Sequence, residues 1–182
     1  MSDCTDDEIK DDQWARRHAI LYNAEMSALY HQKRERFFEL WDKLTKAAAL
    51  LGGSAALYKI SDPHVVGIVA VVITAASALS LVFSFSERAR RHSELSKEFK
   101  SLVADMLKVG PFDFNDANLN SWDEARYRLE SKEPPALSLL VQLCQNEIAV
   151  AQNQPNKVVP VGFVKRIVAN FVDLPSPIAH KG

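Results

Sequence analysis

The stretch VVGIVAVVITAASALSLVFSFS, residues 65–86, carries no charged side chain in a chain where 25% of residues are charged. Wound as an α-helix at about 1.5 Å per residue it extends about 33 Å, enough to cross the roughly 30 Å hydrocarbon core of a bilayer. In lipid every backbone N–H and C=O must be satisfied internally, which one helix achieves alone and one strand does not. The alternative is the buried centre of a soluble helical bundle, but a helix of this length that is apolar on all sides normally needs a larger protein around it. Residues 65–86 therefore predict a transmembrane helix.

Immediately upstream, AAALLGGSAALY (residues 47–58) is uncharged for twelve residues. That is too short by itself for a full span. Its flanks lengthen it: Trp41 and Tyr58 stand seventeen residues apart, about 26 Å along a helix, and amphipathic aromatic residues favour the two membrane interfaces. Lys43 and Lys46 can extend their ammonium groups to the headgroups from the Trp41 end. Between the runs, Asp62 can cap a new helix and Pro63 can occupy its first turn without losing a hydrogen bond, the signature of a tight hairpin. Ala48, Gly52 and Ala56 recur every fourth residue, a spacing that lets two membrane helices approach closely. Lys33, Arg34, Arg36, Lys43 and Lys46 precede the hairpin, and Arg88, Arg90, Arg91, Lys97 and Lys100 follow it. Only Lys59 lies at its tip, so the positive-inside rule directs both termini to the cytoplasm.

Average properties conceal this polarity, because a net charge of -1 describes an ordinary soluble protein. The first twelve residues, with six acids and one lysine, lack the basic start and apolar run of a signal peptide. They predict an acidic flexible tail over 1–13. Ala19, Tyr22, Met26, Leu29, Phe37, Leu40 and Leu44 recur near helical spacing, as do Leu95, Phe99, Leu102, Val103 and Met106. Each stripe can bury the other in an antiparallel stalk, giving a second segment over 14–109. Gly110-Pro111 ends that helix. In the C-terminal region, 110–182, Ser121 and Glu124 have capping-box spacing ahead of a polar helix that Pro134-Pro135 breaks. Leu137, Leu140, Val141, Cys144, Ile148 and Ala151 make a helical face, and a last helix is predicted over 161–172. The fold class is all-α: a two-helix transmembrane hairpin with long cytoplasmic helical extensions and a C-terminal helical region.

No catalytic or metal-binding pattern stands out. His18, His31, His64, His92 and His180 lack metal-ligand spacing, and no glycine-rich phosphate loop occurs. Cys4 and Cys144 form neither a disulfide framework nor a zinc pattern. These absences give the expectation of a non-enzyme with no cofactor. The basic clusters beside the spans are accounted for by topology and by attraction to anionic headgroups, so no nucleic-acid partner is expected.

The informative polar residues are inside the second span. Thr74, Ser77, Ser80 and Ser84 fall within about 120° of one another around a helix, forming a hydroxyl stripe. Such a stripe can line a water-filled path assembled from several copies, or it can simply pack the hairpin. Both readings stand at this point.

This arrangement resembles the SLATT domains, two-span effectors that accompany bacterial nucleotide-signalling and related defence systems. The resemblance covers roughly Trp14 to Met106 and rests on a long helix entering a short hairpin, and on the exit segment ERARRHSELSKEFKSLVADM, in which Ala89, His92, Leu95, Phe99 and Leu102 follow the family's helical pattern. His92 matches as a pattern position, with no chemistry assigned to it. The resemblance implies a homo-oligomeric effector of the bacterial inner membrane that perforates or depolarises it in abortive infection when a soluble nucleotide-signalling or sensor partner signals. The alternatives are a membrane anchor whose cytoplasmic helices recruit a soluble partner, and an accessory subunit of an enzyme carried on another chain.

Overall fold

The computed structural model describes the backbone of residues 3–57 and 63–176, and the side chains of 8–51 and 64–176. Among the described residues all regular structure is helical: α1 (Asp3–Leu57), α2 (Pro63–Phe83), α3 (Phe85–Lys108), α4 (Asp116–Glu130), α5 (Ser138–Ala151), a 3₁₀ turn (Pro155–Lys157) and α6 (Phe163–Val168). The chain divides into two compact units, one of residues 1–32 with 94–182 and the other of residues 33–93, so that α1 and α3 each contribute to both.

In the first unit α1 and α3 run antiparallel. Ser96 Oγ donates to the Ala28 carbonyl at 3.1 Å near one end, while Arg17 reaches the Met106 and Gly110 carbonyls near the other. Ile20, Ala24 and Ala28 form the α1 side of a core completed by Phe99, Leu102 and Met106 of α3 and by Leu119 and Trp122 of α4. The α3 face is the one its apolar spacing predicts. The α1 face is not: Ala19, Leu40 and Leu44 are exposed and Tyr22 half-buried, whereas Ala24 and Ala28 are inaccessible or nearly so. The contact uses small residues that let the helix backbones approach, and small residues carry little hydrophobic signal.

Helix α4 starts earlier than the Ser121/Glu124 spacing predicts. The Asn115 side chain accepts from the Asn118 N–H at 3.0 Å, and the Asn118 side chain accepts from the Asn115 N–H at 3.1 Å. This reciprocal box satisfies two N-terminal donors and fixes the start at Asp116. Helix α5 buries Leu139, Leu140, Cys144 and Ile148, and Tyr30 of α1 joins Leu140 and Cys144 in a second small core. Residues 3–13, expected as a tail, belong to α1. Gln13 donates to Asp116 at 2.8 Å, and the Trp14 ring meets the Phe112 and Phe114 rings edge-on, which holds the start of α1 against the chain that enters α4.

Among the described residues one helical stretch, His64–Lys108, is long and apolar enough to cross a membrane; its apolar part is α2, which belongs to the second unit. The two-span expectation is not met by the same measure. The run from Ala47 is helical through Leu57, but it is the end of α1 and follows Asp42, Lys43 and Lys46 too closely to provide a second stretch of that length. Among the described side chains of α2, Val69, Ile73, Ala76 and Ser80 are shielded, a 4-3-4 spacing that marks one face. Val65, Val66, Ile68, Val71, Val72, Leu79, Leu81, Val82 and Phe83 are exposed. At Ser84 the backbone adopts a positive φ of 45° between α2 and α3. Hydrogen bonds from Ser84 N–H to Ser80 O and from Arg88 N–H to Ser84 O, both 3.1 Å, keep the chain helical on either side.

Candidate functional site

The sequence directs attention to the hydroxyl stripe, and the second unit places most of it in one groove. Thr45, Lys46 and Ala49 of α1 face Ala76, Ser77, Ser80 and Leu81 of α2, together with Ser84, around an open volume of about 380 Å³. Three predicted lining residues, Ser77, Ser80 and Ser84, meet there. Thr74 does not: it is exposed, and its Oγ1 donates to the Ala70 carbonyl of its own helix at 2.8 Å. This back-bonding satisfies the hydroxyl without water. Ser80 belongs to the shielded face and Ser77 to the exposed surface beside it, so the stripe runs along the edge of the packed seam. The Ser84 hydroxyl lies 3.4 Å from the Leu81 carbonyl.

The α1 wall adds groups that the stripe alone does not reveal. Thr45 is buried and its Oγ1 is within 3.0 Å of the Trp41 and Asp42 carbonyls. Lys46 pairs with Asp42 at 2.6 Å one turn away, and the carboxylate is the more shielded partner. The groove is thus lined by hydroxyls, two alanines and Leu81, with the ion-paired Lys46 on its α1 wall. The i,i+4 spacing of Asp42 and Lys46 is readable in sequence, whereas the place of Lys46 beside Ser77 and Ser80 requires the fold. Of the proposed close-packing residues Ala48 is half-buried, while the side chains of Gly52 and Ala56 lie outside the described residues.

Around the α2–α3 junction the unit gathers its aromatic rings. Trp41 stacks on Phe85 at 6.2 Å, Phe85 stacks on Phe83 at 5.5 Å, and the buried Phe38 lies against His92 at 5.5 Å with nearly parallel planes. Arg34 and Arg88 sit over the Phe38 ring, at 4.5 and 5.9 Å. Trp41, His92 and the two arginines each combine an apolar body with a polar tip, a property suited to a boundary between apolar and polar surroundings, while Phe38, Phe83 and Phe85 are wholly apolar. Trp41, expected as an interface anchor, belongs to this cluster; Tyr58, the other anchor, lies outside the described residues. His92 is 5% exposed and contributes a packed ring.

The first unit holds polar groups that maintain its fold. Arg17, 7% exposed, donates to the Met106 and Gly110 carbonyls, both at 3.3 Å, and lies over the Trp14 and Phe114 rings. It thereby covers the negative C-terminal end of α3. His31 is fully inaccessible, with Nε2 3.0 Å from Glu133 Oε1. Asp123 accepts from Arg126 at 2.9 Å and from Arg16 at 3.1 Å. Burial alone would raise the Asp123 carboxyl, but the hydrogen bonds and charges of the two guanidinium groups outweigh it and hold the pKa below its ordinary value. Among the described residues no group of His, Cys, Asp and Glu side chains is placed to hold a metal ion. No protein-family model, curated protein or solved structure matches this chain.

Proposed function

We propose that this protein is a membrane effector that acts as an oligomeric pore, or otherwise depolarises the bacterial inner membrane, in abortive defence against viruses. In this reading α2 is one span and residues 47–57, with the exposed Leu50 and Leu51, begin the other, while both termini remain cytoplasmic. The observation that carries the reading is the groove in which Thr45 of α1 meets Ser77 and Ser80 of α2 and Ser84 just after it, beside a helix that exposes many large apolar residues. Several copies placed with these grooves inward would line a path with polar oxygens while keeping Ile68, Val71 and Val82 toward lipid. A soluble signalling partner acting on the cytoplasmic helices would supply the trigger.

The second reading is an anchor that recruits a partner without conducting. It draws on Thr74, whose hydroxyl bonds to its own helix, and on Ser80, which sits on the shielded face where small residues aid packing. Conductance separates the two. Replacing Ser77 and Ser80 with Leu should leave α2 inserted but make the path apolar, so that current across a bilayer containing the purified oligomer and toxicity in cells fall together. Wild-type protein that never conducts, with its activator present, overturns the pore. Full conductance in a well-assembled double-Leu variant overturns this lining.

A further inference from the structure

Another exposed apolar surface lies far along the chain, in the first unit. Phe163 is 77% exposed, Val164 71%, Ile167 55% and Val172 53%. Large apolar side chains grouped on a soluble surface generally mark a place of contact. This surface is not a loose tail. Asn146 clamps the strand-like segment before α6 by accepting from the Val159 N–H at 2.9 Å and donating to the Val159 carbonyl at 2.7 Å. Asp173 accepts from the Ser138 N–H at 2.7 Å just after it, and Ala169 between them is completely buried. Pinned on both sides and sealed beneath, α6 presents Phe163, Val164 and Ile167 outward.

Charge identifies what this face fits. From Val158 to Val172 the sequence contains no acid, and its only charges are Lys165 and Arg166. Around a helix of 3.6 residues per turn, Phe163, Ile167 and Val164 span an arc of about 100°, with Arg166 about 60° beyond one edge and Lys165 about 100° beyond the other. Cations flanking an apolar arc are arranged to reach anionic headgroups while the arc enters the acyl boundary. A symmetric contact with a second copy would instead set the two cations of each chain against one another. We propose that α6 and the turn after it form a peripheral membrane contact, selective for anionic lipid, separate from the spanning helix.

The full chain would be reconstituted in vesicles, with Cys4 replaced by Ser, the buried Cys144 retained, and Ile167→Cys carrying an environment-sensitive fluorophore; protein lacking the added cysteine gives the background. A second labelled variant, Leu79→Cys, reports on α2. In phosphatidylglycerol-containing vesicles the Ile167 probe should shift to the blue and be quenched by brominated acyl chains. In pure phosphatidylcholine both responses should be weaker, and Lys165→Ala with Arg166→Ala should reduce the docked fraction roughly tenfold or more. Circular dichroism verifies that each variant is folded. Identical emission in the two lipids with no bromolipid quenching at position 167 overturns the proposal, even if the Leu79 probe is quenched and α2 is therefore inserted. A blue shift that depends on protein density and ignores brominated lipid also overturns it, by assigning the face to a second copy. If the position 167 probe responds as expected while the Leu79 probe does not, the peripheral contact stands and the spanning reading of α2 falls.

Discussion

Introducing Arg at Val72, the midpoint of the exposed apolar side of α2, tests the membrane reading at its energetic centre. Nine large apolar side chains of α2 are exposed to whatever surrounds the helix, from Val65 at 40% to Leu81 at 82%. On insertion scales each such residue contributes about -0.3 to -0.6 kcal/mol near the middle of a span, so together they favour insertion by at most about 5 kcal/mol. An Arg at the same depth opposes it by about 2.5–3.5 kcal/mol, and Val72→Arg also removes the valine's own contribution. The shift of about 3–4 kcal/mol is nearly as large as the driving force, so insertion should fall from almost complete to near balance. Val66→Arg, close to the helix start, should do much less, because its guanidinium can reach the interface. The assay is the fraction of protein retained in alkali-washed membranes, with total expression measured alongside. Equal retention of both variants and wild type would refute the placement of α2 across the hydrocarbon. Equal loss of both would show that the defect is folding, not depth.

Three further outcomes follow from other parts of the chain. Arg17→Ala should destabilise the first unit by about 2–3 kcal/mol, because two carbonyls at the C-terminal end of α3 lose a charged donor and two rings lose their cation; urea unfolding followed through Trp14 and Trp122 in a Trp41→Phe background would measure it, and an unchanged midpoint would contradict the capping role. Ser84→Gly should stabilise the α2–α3 junction by about 1 kcal/mol by removing the penalty of a positive φ of 45°, while Ser84→Ile should destabilise it, both readable by hydrogen exchange of the Arg88 amide. Because the folded Asp123 carboxyl titrates below its ordinary range, its stabilisation is complete above the unfolded value of about 3.9 and is lost as pH falls through the lower folded value. The stability of Asp123→Asn should therefore converge toward that of wild type under acid conditions, and a difference independent of pH would refute the assignment.

Legibility in the sequence followed the size of the side chains involved. A long apolar helix is legible over most of residues 65–86 because an uninterrupted apolar run has few solutions, although the positive φ at Ser84 that ends α2 at Phe83 leaves no mark in the composition; Leu95, Phe99, Leu102 and Met106 are legible because large residues at helical spacing have a core to fill. The α1 face was misread for the converse reason: Ala24 and Ala28 carry little hydrophobic signal, yet their smallness is what permits the close approach that Ser96 bridges. The early start of α4 is hard to read because Asn115 and Asn118 cap each other with amides, whereas the usual capping-box signature is the hydroxyl and carboxylate that Ser121 and Glu124 carry. At the candidate site, spacing on one helix aligned Ser77, Ser80 and Ser84, but it had no means of showing which hydroxyls met a facing helix. Thr74 satisfies itself and leaves the group, whereas Thr45 and Lys46 join it from a different helix.

The last helix carries the same reasoning to a different end. Val161, Val164, Val168, Phe171 and Val172 have the periodicity of a buried face, and that is how sequence reads them; in the structure Val164, Phe171 and Val172 are exposed and Ala169 alone is fully buried. Periodicity identifies a face without identifying its solvent. For α2 the exposed face is long enough to find its apolar environment by crossing the bilayer, since 21 residues extend about 32 Å. The six residues of α6 reach only about 9 Å, so an apolar environment must come to them at a surface. Lys165 and Arg166 lie at the flanks of that short face, which favours an interface where hydrocarbon and negative charge are adjacent. Length and flanking charge thus separate two exposed apolar helices that hydropathy alone treats alike.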